Sequence, residues 1–68
     1  MNKEKTLAVL EAILFTMGES VEIKRLAQVI EEEENQTKEY LKELEKKYEA
    51  QNSGIGLTWL DDSVQLST

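Results

Sequence analysis

The sequence contains no cysteine, no histidine and no proline, and it has only three glycines, one tryptophan, two tyrosines and one phenylalanine. Without cysteine no disulfide staples the fold. Without cysteine or histidine there is no ligand set for a zinc site. The same absences remove Ser-His-Asp and Cys-His nucleophilic machinery. Nothing resembles a phosphate-binding loop. No cofactor, no metal and no catalytic residue is therefore expected, and a hydrolase built only from Asp61, Asp62 and glutamates lacks both a cavity-forming length of chain and a positioned base. No apolar run approaches the ~18 residues of a membrane-spanning helix. The opening residues Met1 to Thr6 are polar and charged, with no secretory apolar region behind them. The expectation is a cytoplasmic protein with no membrane partner.

What remains is 68 residues carrying 14 acidic and 8 basic side chains, for a net charge of −6. That length allows one domain, spanning 1–68. A chain so short buries only about 60% of the surface that its unfolded form exposes. Small domains ordinarily add a disulfide, a metal or a partner surface. The first two are excluded here, which leaves association. The acidic balance has the wrong sign for phosphates and for anionic lipid.

The residues from Lys3 to Met17 hold no helix breaker, and Gly18 follows where a left-handed C-terminal residue belongs. A helix over 3–17 is expected. Glu19 to Glu22 reads as a short extended connection. Ile23, Leu26, Ala27 and Ile30 then share one face of a second helix, from Ile23 to about Glu31, with Lys24, Arg25 and Gln28 opposite. Asn35 is a candidate N-cap for a third helix over 36–51, in which Tyr40, Leu41, Leu44 and Tyr48 form the apolar stripe. Glu39–Lys42, Glu43–Lys46 and Glu43–Lys47 stand at helical pairing distances.

After Asn52-Ser53-Gly54 the period changes. Ile55, Leu57 and Trp59 alternate as in a half-buried strand, Asp61-Asp62-Ser63 is turn chemistry, and Val64 and Leu66 alternate again. Leu60 breaks the alternation and marks a possible bulge. Helix, short strand at Val21, helix, turn, helix and hairpin make an α+β, helix-rich winged helix.

Many winged helices place their third helix in the DNA major groove. Here that helix carries Lys38, Lys42, Lys46 and Lys47 against Glu39, Glu43, Glu45 and Glu49, and no arginine. The run Glu31 to Glu34 lies just before it, and Asp61-Asp62 occupies the wing tip. Carboxylates there repel phosphates within a Debye length of ~8–10 Å. Direct nucleic-acid binding is not expected, although a winged-helix DNA-binding transcription regulator is the alternative reading.

The informative surface is on the first helix. Leu7, Val9, Leu10, Ile13, Leu14 and Met17 form one arc wide enough for a core face. Ala8, Ala12 and Phe15 form a second arc on the far side. Covering roughly 300 Å² at about 25 cal/mol/Å² is worth several kcal/mol, comparable with the whole stability of so small a domain. The expectation is that another chain covers this second arc; the competing one is that the hairpin folds over it. Trp59 packs on the inner face of the hairpin or anchors a contact, since tryptophan is enriched at interface hot spots. Tyr40 and Tyr48 are expected in the core. Leu7, Ala8, Ala12, Phe15 and Trp59 are the candidate interface residues.

Leu10-Glu11-Ala12-Ile13-Leu14-Phe15, the turn at Gly18-Glu19, Ile23-Lys24-Arg25-Leu26-Ala27, Gly54-Ile55-Gly56-Leu57 and Val64-Gln65-Leu66-Ser67-Thr68 together resemble the opening of the segregation and condensation protein B (ScpB) family. The chain departs from that pattern at Glu22, where the family often has a capping serine, and at Asp62-Ser63, in place of a glycine-rich wing turn. The resemblance implies that the chain is the N-terminal winged-helix half of a two-domain protein. It implies a non-catalytic subunit of the bacterial SMC condensin complex, at the nucleoid, in chromosome condensation and segregation. It implies a homodimer that binds the kleisin subunit ScpA and, through it, the SMC ATPase.

Overall fold

Asn2 starts the first helix, α1 (Lys3–Met17), by accepting a hydrogen bond from the Lys5 amide at 2.8 Å on its side-chain oxygen. In the computed structural model, which describes residues 2–67, β1 (Val21–Glu22), α2 (Ile23–Ile30), α3 (Glu34–Ala50), β2 (Gly56–Trp59) and β3 (Ser63–Ser67) follow. The three strands form one antiparallel sheet in the order β1-β3-β2. This is the expected winged helix. Thr68, the last residue of the motif quoted above, lies outside the described residues.

α1 has the bounds expected of it and ends on Gly18 at φ 67°, whose amide donates to the Leu14 carbonyl at 3.3 Å. α2 ends one residue before its expected limit, because Glu31 takes a left-handed conformation at φ 57° and its amide returns to the Gln28 carbonyl. α3 corrects the expected start. Asn35 is not its cap but lies inside its first turn. Glu33 holds the cap position, and its backbone carbonyl accepts both the amide and the hydroxyl of Thr37, each at 2.9 Å. The Thr37 hydroxyl is completely buried, so it needs that carbonyl, and the pairing fixes the helix start at Glu34. Thr6 repeats the device on α1, bonding the Asn2 carbonyl at 3.0 Å.

The core gathers Leu10 and Leu14 of α1, Leu26 and Ile30 of α2, Leu41 of α3, and Val21 and Val64 of the sheet, with Ile23 beside them. Leu44 and Tyr48 are buried on α3. Val64 pairs with Val21 on one side and Trp59 on the other, so β3 is the central strand and carries the sheet into the core. Leu60 is a turn residue rather than a bulge. Its amide donates to the Ser63 carbonyl at 2.8 Å while its side chain stays in solvent. The wing tip also serves α2, because the Asp62 carbonyl accepts from the Ile23 amide at 2.8 Å. That bond satisfies an N–H left orphaned at the helix start, which matters because Glu22 at the cap makes no side-chain bond of its own.

Gly18 is the position most sensitive to a backbone change. A Cβ there meets no atom within 4 Å, so any penalty comes from its positive φ alone. Gly18→Ala is expected to lower stability by about 1 kcal/mol, read from the urea unfolding midpoint with an unchanged slope.

Candidate protein-interaction face

α1 presents two unlike faces. Thr6, Leu10 and Leu14 are buried, and Leu7, Val9 and Ile13 are half-buried on the flanks of that line. Met17, expected in the core, is 44% exposed: it is the last residue of α1 and lines a shallow surface depression with Ala12, Ile13 and Thr16. On the far side Ala8 and Ala12 are exposed, and the Phe15 ring is 72% exposed. The hairpin does not cover them. It reaches only the edge of this face, where Ile55 and Leu66 stand half-buried.

An open apolar groove results between α1 and the hairpin base, with Ala12, Phe15, Ile55 and Leu66 in its walls and Glu11 and Tyr48 at one side. It continues past Phe15 to Gly18 and Ser67. Of the sequence candidates, Ala8, Ala12 and Phe15 come together here. Leu7 stands half-buried beside the core-facing line of α1. Trp59 packs against the core instead, and its indole N–H donates to Glu45 at 3.2 Å. Sequence reasoning did not single out Ile55, Leu66 or Glu11. The strand alternation that places Ile55 and Leu66 on the inner side of the hairpin does not say that α1 stops short of them.

Glu11 is the one ionisable carboxylate in the groove wall, and the Tyr48 hydroxyl donates to it across 37 residues of chain. Tyr48 is buried, and burial first, then the bond to Glu11 and its charge, push the phenol well above its ordinary value of 10.0. Elsewhere on α3, carboxylates are drawn towards neighbouring elements. Glu43 pairs with Lys3 at 2.8 Å rather than with Lys46 or Lys47, and Glu45 holds Trp59. Glu39 and Lys42 stand 4.0 Å apart and are well exposed, a pair of little energetic weight. Lys38, Lys42 and Lys46 recur every four residues along an exposed line of α3, but Glu39, Glu45 and Glu49 flank them, so that face carries no net positive charge. Among the described residues no group of three His, Cys, Asp or Glu is placed to hold a metal, and no helix is long and apolar enough to cross a membrane.

The family model for the segregation and condensation complex subunit ScpB matches residues 8–68. The chain belongs to that family. It is 48% identical over 62 residues to the segregation and condensation protein B of Agathobacter rectalis, covering 90% of this chain and 33% of the relative. To that of Lachnoclostridium phytofermentans it is 37% identical over 68 residues, covering 100% of this chain and 36% of the relative. The chain thus spans about a third of the length of the curated ScpB relatives it matches. Among solved structures it is similar to the dimer of an ScpB N-terminal domain complexed with an ScpA peptide, at TM-score 0.87 and 29% identity, over 96% of this chain and 82% of that one. That likeness covers all three helices and the wing.

The Tyr48–Glu11 bond has a pH signature. The folded chain holds the phenol proton more tightly than the unfolded chain does, so this stabilisation is complete below the unfolded value of 10.0 and is lost as pH climbs towards the raised folded value. Tyr48→Phe is expected to cost about 1 kcal/mol at pH 7. It should also flatten the fall in stability above pH 10, measured by urea unfolding across that range.

Proposed function

We propose that this chain is the first of two winged-helix domains in a non-catalytic subunit of a bacterial SMC condensin complex, where it associates with a second copy of itself and takes an ScpA segment. The observation that carries the reading is the uncovered apolar face of α1, with Phe15 72% exposed between two exposed alanines. Burying a phenylalanine is worth roughly 1.5–3 kcal/mol, and a micromolar complex needs about 8 kcal/mol. Phe15 with Ala8, Ala12, Leu7 and the hairpin base therefore supplies a large share of such an interface. Trp59 contributes by holding the hairpin against α3. The similar ScpB domain, itself a dimer with an ScpA peptide, supports both associations. Membership of a family named for a complex subunit supports the role in chromosome condensation and segregation, and with it a place at the nucleoid.

Nothing on α3 favours the transcription-regulator reading. Its lysines alternate with glutamates, and the wing tip is Asp61-Asp62. Duplex DNA is expected to show no mobility shift with this chain even at low salt; a shift that weakens steeply with added salt would revive that alternative.

Phe15→Glu is the direct test. Sedimentation equilibrium should show the variant monomeric at concentrations where the unaltered chain is a dimer, with ScpA capture reduced and helical circular dichroism retained. A folded variant that still dimerises contradicts the proposal.

A further inference from the structure

The chain has no cysteine, so the sulfurs of its two methionines are the groups open to reversible two-electron oxidation. Met17 is 44% exposed at the end of α1, and with Ala12, Ile13 and Thr16 it lines a shallow apolar depression. That depression shares Ala12 and Thr16 with the groove beside Phe15, so Met17 stands at the border of the uncovered face of α1. A thioether suits such a place, being apolar, a weak acceptor and adaptable to whatever covers it. A sulfoxide does not. Its oxygen is a polar acceptor that must keep a donor when the surface is covered. The Thr16 hydroxyl is the only side-chain donor among the lining residues, and the last turn of α1 has no basic residue to receive the new oxygen. The negative end of the helix dipole lies there too.

We propose that Met17 is an oxidation site at which peroxide weakens the self-association of this chain. A sulfur lone pair attacks one peroxide oxygen and forms the S–O bond as the O–O bond breaks. Sulfur is oxidised by two electrons and the peroxide is reduced. The proton of the transferred oxygen joins the departing hydroxide, which leaves as water. The thioether is reachable in the monomer, and the equilibrium between monomer and dimer supplies that form. A methionine sulfoxide reductase reverses the change. This rests on the reading above, in which the uncovered face of α1 carries the dimer, and adds the residue through which that association answers to oxidant.

The test treats the full chain and a Met17→Leu variant with hydrogen peroxide at neutral pH. Peptide mass spectrometry, circular dichroism and sedimentation equilibrium follow both. Leucine keeps the apolar volume and has no sulfur to oxidise. The unaltered chain is expected to gain one oxygen on Met17, keep its helical signal and weaken its dimer by about tenfold or more. M17L is expected to keep its dimer in the same peroxide, although Met1 is present in both chains. Four outcomes would each overturn the inference without touching the proposed function: unchanged association after oxidation at Met17, equal weakening of M17L, resistance of Met17 to peroxide that oxidises free methionine, or loss of helix on oxidation. A chain that is monomeric before any oxidant is added overturns both. If M17L itself does not associate, reductase treatment of the oxidised chain decides: a restored dimer supports the site, and a persistent monomer contradicts it.

Discussion

Leu10 and Leu14 sit at the centre of a core to which all three helices and the sheet contribute, and among the described residues no further layer lies over the other side of α1. That constraint organises the rest of the molecule. α2 and α3 must close on one side of α1, and β3 must bring Val64 in beside them. β1 is only two residues long, enough to tie the wing to the start of α2 and no more. The face of α1 that bears Ala8, Ala12 and Phe15 is left over. Among the described residues nothing covers it, and Phe15 stays open to water.

Polar groups reinforce this arrangement at the helix starts and between α1 and α3. Thr6 and Thr37 each return a buried hydroxyl to the carbonyl four residues earlier, so both long helices begin on a fixed residue. Lys3 and Glu43 pair the beginning of α1 with the middle of α3, and Tyr48 and Glu11 join the same two helices one layer further on. Glu43 leaves its second oxygen buried and without a partner, the one such side-chain atom among the described residues. With Asp62 capping α2 through its carbonyl, the wing is attached at both ends and presents no cationic tip. The outcome is a winged helix whose third helix is charge-balanced, whose wing tip is acidic, and whose α1 leaves an apolar face exposed.

Much of this was legible in the residues. The breaker-free run from Lys3 to Met17 with Gly18 behind it fixed α1, and the change of period after Gly54 announced the hairpin. Both are local signals, and local signals survive folding. The far arc of α1 was legible for the same reason, since helical geometry alone separates Ala8, Ala12 and Phe15 from Leu10 and Leu14. Asn35 misled because its capping propensity competes with a tertiary demand: Thr37 is buried and takes the Glu33 carbonyl. Glu43 had two lysines at helical spacing and chose a third from another helix, and Tyr48 found Glu11 far away in sequence. Met17 looked apolar enough for the core but is left half-exposed beside Ala12, Ile13 and Thr16. No periodicity encodes where a hairpin base comes to rest, so Ile55 and Leu66 entered the groove unannounced.

The central claim is that α1 carries more apolar surface than this domain covers by itself. The most direct measurement is the sedimentation equilibrium of the unaltered chain from micromolar to millimolar concentration. The account predicts a monomer that converts to a dimer within that range. A species that remains monomeric throughout, with Phe15 shielded from solvent, would contradict it.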